Sequence, residues 1–333
     1  MISLAFFGTP TIAATVLESL LNDDSFSVDL VVTQPDKPVG RKQFVQPSPV
    51  KTTALKFHLP VIDQPLKTIS SLFLKEQNID LAVLFAYGSI IPPTLLDQPK
   101  YGFWNIHPSR LPQYRGASPI AYPILMGDQT TAVSLMKMDA LLDHGHIISQ
   151  KEVVIPSVAT RDEMETLLSL EAIPLLKQAL HDLIATPLFE SQFTPQDHSQ
   201  ATYTRMLEKN DGFIPFESLN MIMQNEASLP LVGNRETDIT LFPAIHYFLQ
   251  KNNQLSSFPL VGNRPDSRTL FNYYRALTPW PGIWTKIMIN GIEKRLKLTK
   301  LSLNQGKILI DRVQLEGKNE VDFETFQKAY QVF

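Results

Sequence analysis

The chain has 333 residues and no cysteine, so disulfides, thiolate metal sites and cysteine nucleophiles are excluded together. This suits a reducing cytosol, and a cytoplasmic protein is expected. An excess of positive charge is also missing. Thirty Lys and Arg face 33 Asp and Glu, for a formal net charge of -3. No global positive field marks a nucleic-acid binder, so a nucleic-acid partner would need basic residues gathered locally. No segment approaches the roughly 20 uninterrupted apolar residues of a membrane span, and no membrane association is expected. The apolar start, MISLAFFGTP, has no basic stretch before it and is interrupted by Gly8-Thr9-Pro10, which argues against a secretory signal. Glycine is scarce, 14 in 333 residues against an average of roughly 7%, so Gly8, Gly88 and Gly145 in the first half stand out.

What remains is an ordinary composition, 44% hydrophobic with a mean hydropathy of -0.05, long enough for two domains. Residues 2–7, 28–33, 81–85 and 103–106 read as buried strands. They alternate with helical stretches at 12–21, 50–57, 72–77 and 119–126, while 133–138 and 147–154 read as extended. A long helix over 164–184 closes the pattern. The expected fold class is α/β, a Rossmann-like, mostly parallel sheet covered on both faces. Residues 187–203 turn polar without periodicity and read as an extended linker on the surface. Four short strand-like pieces after residue 284, separated by Gly291, Gly306 and Gly317, suggest a small, OB-like β-barrel. The expected division is a catalytic domain over 1–186, a linker over 187–204 and a barrel domain over 205–333, with an unusually long segment around 219–267. That segment holds the hexapeptide Pro-Leu-Val-Gly-Asn-Arg twice, at 230–235 and 259–264. Two copies cannot build a solenoid, and insertion into tolerant surface loops is the reading adopted.

The ends of parallel strands are where open α/β sheets bind ligands, and no G-x-G-x-x-G follows the first strand, which disfavours a dinucleotide. Asn105 and His107 lie two apart on an extended segment, so their side chains share a face. Asp143 follows near a glycine turn. An amide donor, an imidazole and a carboxylate are the parts needed for acyl transfer to an amine: donors for an oxyanion, and a base for the amine proton. The same residues can be a structural hydrogen-bonder, a turn residue and a cap. His144 and His146 could share a strand face and bind a metal, but no second ligand pair is evident, so no metal is expected.

Further pieces extend along the chain: FFGTP at 6–10, QPDKPVGR at 34–41, PSPVK at 47–51, AYG at 86–88, NIHPSRLPQYRGASPI at 105–120, MKMDALLDHG at 136–145, PWPG at 279–282 and LEGK at 315–318. In this order they resemble the methionyl-tRNA formyltransferase family over nearly the whole length. The Asn-x-His and Leu-Asp-x-Gly pair alone defines only the wider folate formyltransferase group. The resemblance implies Asn105, His107 and Asp143 as the catalytic set. It implies 10-formyltetrahydrofolate as formyl donor, bound by Phe85, Ala86, Tyr87 and Gly88, by Ser109, Arg110, Leu111 and Pro112, and near Asp139. The chain departs from the family pattern at Arg110, where Leu is usual, and at His144-Gly145-His146, where Thr-Gly-Asp is usual.

The acceptor implied is initiator methionyl-tRNA, with the protein acting as a monomer. Residues 33–56 form a long proline-rich loop carrying Lys37, Arg41, Lys42, Lys51 and Lys56 against one acid, Asp36. The resemblance makes it the loop that enters the tRNA acceptor arm, with Arg41 best placed. From Thr278 onward nine Lys or Arg face six Asp or Glu, and Lys294 and Lys297 are candidate phosphate contacts. Three rival readings share the motif. One is a formyltransferase of a nucleotide-linked amino sugar, and another a formyltetrahydrofolate deformylase, which carries a regulatory module ahead of the catalytic domain. The third is a folate- or RNA-binding protein with lost activity.

Overall fold

The computed structural model describes residues 2–39, 43–70, 72–186, 188–224, 242–254 and 266–333. Both hexapeptides lie outside the described residues, as do Arg41 and Lys42. The first strands are β1 (Ser3–Gly8), β2 (Ser27–Val32), β3 (Lys37–Val39), β4 (Phe44–Gln46), β5 (Val61–Ile62), β6 (Leu81–Phe85) and β7 (Phe103–His107). They are followed by β8 (Arg115–Gly116), β9 (Thr130–Lys137), β10 (Ile147–Val154) and β11 (Tyr203–Thr204). Four more close the chain: β12 (Ile283–Ile289), β13 (Ile292–Asn304), β14 (Lys307–Leu315) and β15 (Glu320–Asp322). The helices are α1 (Thr11–Leu21), α2 (Pro49–Lys56), α3 (Phe73–Glu76), α4 (Pro93–Leu96), α5 (Ala121–Met126) and α6 (Arg161–Ala185). Then come α7 (Phe216–Gln224), α8 (Pro243–Lys251), α9 (Ser267–Leu277) and α10 (Phe323–Tyr330).

Two compact units result. The first comprises Met1–Arg115, Thr130–Val154 and Glu165–Ala201. Its sheet has the order β10-β9-β7-β6-β1-β2-β5. The strands from β7 to β5 are parallel, and β9 runs antiparallel to both β7 and β10. This is the mostly parallel α/β sheet the sequence implies. Its inner strands are continuous apolar runs because both faces are covered: Leu4, Phe6, Phe7, Leu81, Val83, Phe103 and Trp104 are all fully buried. Phe7 anchors the core, 5.1 Å from the Phe103 ring and 5.6 Å from Tyr87. The chain runs outward from β1 to β2 and β5, then returns to place β6 on the other side of β1. The ends of β1 and β6 therefore flank a topological switch point, where open α/β sheets form a crevice. Thr9 donates to the Tyr87 carbonyl at 2.7 Å and ties the two loops there.

Within 188–203 most residues are exposed, but a few are not. Phe189 is buried, edge-on to Phe193 and tilted against Trp104, and Gln196 is buried as well. Polarity in the sequence was a poor guide because Gln196 is buried with its hydrogen bonds made, which removes the penalty for leaving water.

The second unit comprises Gly116–Gln129, Ile155–Met164 and Thr202–Phe333. Its C-terminal part, where a small barrel is expected, is a four-stranded antiparallel sheet of order β12-β13-β14-β15. β12 and β13 meet at the Asn290-Gly291 turn, where φ is +51° and +75°. A two-residue hairpin needs positive φ at both positions, which Asn and Gly supply with least strain. Ile283, Ile287, Leu296, Leu298 and Val313 are buried in this sheet. Within the long 219–267 segment, α7 and α8 are the described helices. Thr160 and Glu163 bond reciprocally at the start of α6, which sets that helix's first turn.

Candidate active site

β7 carries Asn105 and His107 to one place. The strand is buried along its whole length, and its two polar side chains face one side because side chains alternate. Asn105 donates from Nδ2 to Asp143 Oδ1 at 3.3 Å. The other carboxylate oxygen lies 3.7 Å from His107 Nδ1. His107 Nε2 sits 3.0 Å from the Tyr114 carbonyl. A carbonyl can only accept, so Nε2 carries a hydrogen and Nδ1 is the nitrogen turned to the carboxylate. The His107 and Asp143 side chains are 5% and 11% exposed, so this triad is withdrawn from bulk water yet not sealed.

Asp143 reaches β7 because residues 138–146 fold back over the end of β9. Gly145 permits this: a Cβ there would lie 1.8 Å from the Lys137 carbonyl oxygen. Asp143 itself has φ +47°, and Ala86 and Tyr114 are also left-handed at +49° and +60°. Each such non-glycine residue costs about 1–3 kcal/mol, and observed clusters of them mark sites where geometry is held by the surroundings.

The loops implied to hold the donor lie at the ends of β6 and β7, which are paired through Leu84 and Asn105. Phe85 and Tyr87 are buried in the core, while Ala86 and Gly88 are exposed. A ligand here meets backbone at 86 and 88 rather than the aromatic rings. Ser109 and Leu111 are buried and tied to β9 and β10: Ser134 donates to the Ser109 carbonyl at 2.6 Å, and Gln150 donates to the Leu111 carbonyl at 3.1 Å. Pro112 is half-buried. Arg110 turns to Thr130, at 2.8 Å, and to Glu152. Asp139 accepts from the Leu141 backbone at 2.8 Å and pairs with His144 Nδ1 at 2.6 Å. Leu141 and Leu142, between Asp139 and Asp143, are exposed.

Sequence reasoning passed over one group. Gln196 donates from Nε2 to the carbonyls of Asp143 and Gly145, at 3.0 and 2.7 Å. Its Oε1 accepts from buried Arg115. Arg115 in turn lies 2.9 Å from His198 Nδ1, and the His198 ring stacks on His144 with centroids 3.9 Å apart. No periodicity marks these residues, since they sit in a two-residue strand, a loop and the polar stretch. His146 is exposed. Among the described residues no three His, Asp or Glu side chains converge to hold a metal ion.

A model of the formyl transferase family matches residues 2–180. A methionyl-tRNA formyltransferase from Caldicellulosiruptor saccharolyticus is 32% identical over 360 aligned positions, covering 99% of this chain and 97% of the relative. The chain belongs to the methionyl-tRNA formyltransferase family. A second relative, the methionyl-tRNA formyltransferase of Staphylococcus aureus, is 40% identical over 214 residues, 63% of this chain and 67% of its own. The fold agrees with a methionyl-tRNA formyltransferase from Clostridium thermocellum, at TM-score 0.53 and 13% identity, covering 97% of this chain and all of that one. A 4-N formyltransferase from Francisella tularensis gives TM-score 0.56 at 16% identity, covering 88% of this chain and 95% of that one.

In this formyltransferase several of the basic residues counted from the sequence are already paired. Lys51 bonds Asp36 and Asp63, at 2.8 and 2.7 Å, and these carboxylates, Asp36 first, raise its pKa. Lys56 pairs with Glu18 at 2.9 Å. The stretch is also less of a loop than expected: β3 and β4 pair antiparallel, with Phe44 and Val45 exposed. In the C-terminal sheet Lys294 and Lys297 are not brought together. They are an odd number of residues apart on β13, so Lys294 lies on the side of buried Leu296 and Leu298, and Lys297 on the other. Arg295 shares the Lys297 face and stacks its guanidinium 5.2 Å from the Trp284 ring.

Proposed function

We propose that this enzyme transfers the formyl group of 10-formyltetrahydrofolate to the amino group of initiator methionyl-tRNA, with Asn105, His107 and Asp143 as its catalytic set. The observation that carries the reading is the meeting of an amide, an imidazole and a carboxylate at the strand end beside the switch point. Asn105 has a second N–H besides the one given to Asp143, and this donates to the formyl oxygen as negative charge develops on it. His107 Nδ1, when protonated, is the second donor, and Asp143 stabilises that cation. The Asp143 carboxylate also accepts the proton the amine loses as its nitrogen bonds the formyl carbon. Bound here, 10-formyltetrahydrofolate supplies the formyl carbon and a leaving nitrogen that takes up a proton.

The chain's own residues fit such a donor. The backbone at Ala86 and Gly88, the Asp139 carboxylate and the exposed Leu141 and Leu142 offer polar edges and apolar surface to a flat heterocycle. Arg110 shapes this loop through Thr130 and Glu152. The domain reading follows: 1–186 catalyses, 187–204 connects, and 205–333 holds tRNA, with Arg41, Lys42, Lys294 and Lys297 as the proposed contacts. Among the described residues no helix is long and apolar enough to cross a membrane. We place the protein in the cytoplasm, as a monomer needing no metal. The test is formyl transfer to methionyl-tRNA, free methionine and a nucleotide-linked amino sugar compared side by side. Transfer to methionyl-tRNA alone is expected. Preference for the amino sugar would move the enzyme to the rival class.

A further inference from the structure

We propose that Gln196 is a positioning residue for the reaction, holding the Asp143 loop in register with Asn105 and His107. This rests on the reading of Asp143 as catalytic. The direction of the Gln196 amide is fixed by its neighbours. Arg115 has donors only, so Oε1 must face it, at 3.2 Å from Nε and 2.6 Å from an Nη. The Nε2 hydrogens then face the other way, and both are used, on the carbonyls of Asp143 and Gly145. One buried side chain thus grips the loop on either side of His144. Arg115 is held in turn by His198, whose Nδ1 must carry the lone pair, since a guanidinium cannot accept.

The consequence falls on Asp143. Its backbone is left-handed at φ +47°, a conformation that needs support from outside the residue. Its carboxylate lies 3.3 Å from Asn105 Nδ2 and 3.7 Å from His107 Nδ1, so its place beside both depends on where the loop backbone is held. Releasing the carbonyls lets the loop relax, and the carboxylate leaves His107 without any catalytic group being removed.

Gln196→Glu tests this, because it keeps the side-chain length and an acceptor for Arg115 while deleting both N–H donors. The expected result is a kcat lowered about 10- to 100-fold, the scale of a small misplacement at a reacting centre. KM for methionyl-tRNA and for 10-formyltetrahydrofolate should each stay within about threefold, because what is lost is alignment rather than binding. In an Asp143→Asn background, the same substitution should change kcat by less than about threefold, since it acts through the carboxylate already removed. If Gln196→Glu does not fold, Gln196→Met replaces it. Should neither fold, Gln196 is only structural and the proposal is lost. A folded Gln196 variant with parental kcat, beside a slow Asp143→Asn, overturns the positioning role and leaves the catalytic set standing. So does an effect that multiplies independently with Asp143→Asn. Parental activity in Asp143→Asn removes the catalytic reading, and the proposal with it.

Discussion

His107 is held at Nε2 by the Tyr114 carbonyl, which leaves Nδ1 facing Asp143 at 3.7 Å. His107→Ala, Asn105→Ala and Asp143→Asn are each expected to lower kcat/KM about 10²–10⁴-fold, the span for positioned acid–base and oxyanion groups. Single-turnover formyl transfer measures this, and a folded His107→Ala protein with full activity would refute the mechanism. The histidines beside Asp143 behave differently. His146 is exposed, and His144 pairs with Asp139 rather than with the triad. His144→Thr combined with His146→Asp should keep kcat within about threefold, a barrier change of less than about 0.7 kcal/mol. Chelators should leave the parent unaffected, whereas activity lost to a chelator and restored by zinc would contradict that. Asn105 and His107 could be paired from spacing alone, because strand alternation is geometric. Gln196 could not, because its partners, Arg115 and the Asp143–Gly145 backbone, lie in two separate stretches far from it in the chain.

Among the elements, the inner strands were legible for a simple reason: strands buried on both faces are written as continuous apolar runs, as in 103–107 and 81–85. In the stretch after α6 most polar residues do face water, and Gln196, which does not, was not legible because its partners Arg115, Asp143 and Gly145 lie elsewhere in the chain. His198 gives this loop an expected pH dependence. Burial, the neighbouring His144 and Arg115, in that order, lower its pKa below the ordinary 6.5, while Asp139 and Asp197 act weakly the other way. The neutral form is therefore favoured on folding. As pH falls through the unfolded value, the unfolded chain takes up a proton that the folded loop does not, so this group's stabilisation is full above that range and lost below it. Thermal unfolding across this interval should show a steeper loss of stability for the parent than for His198→Ala. Equal slopes would mean that the Arg115–His198 contact contributes nothing to stability.

For the molecule as a whole, nearly neutral net charge makes tRNA affinity depend on where cations are free, not on how many exist. Lys51 and Lys56 are engaged by carboxylates, and Lys294 lies on the core side of its strand. Lys297, beside Arg295 and Trp284, keeps an exposed face with both charge and an aromatic ring. If the C-terminal sheet holds phosphates there, binding of methionyl-tRNA must release counterions and weaken steeply with salt. Lys297→Ala should then raise KM for methionyl-tRNA and flatten the plot of log affinity against log salt by about one unit, the share of one phosphate contact. Lys294→Ala should do both to a smaller extent, because Lys294 lies half-buried on the core side of the strand. Arg41→Ala should also raise KM for methionyl-tRNA, or lower turnover if that residue places the methionyl amine. KM for 10-formyltetrahydrofolate should stay unchanged in all three, because none belongs to the β6 or β7 strand ends proposed as the donor site. The decisive measurement is formyl transfer over a salt series for the parent and the three variants. An amino-sugar enzyme predicts curves that coincide and a flat salt response. Equal effects of Lys294→Ala and Lys297→Ala would keep the tRNA as acceptor but reject a single phosphate-binding face on β13.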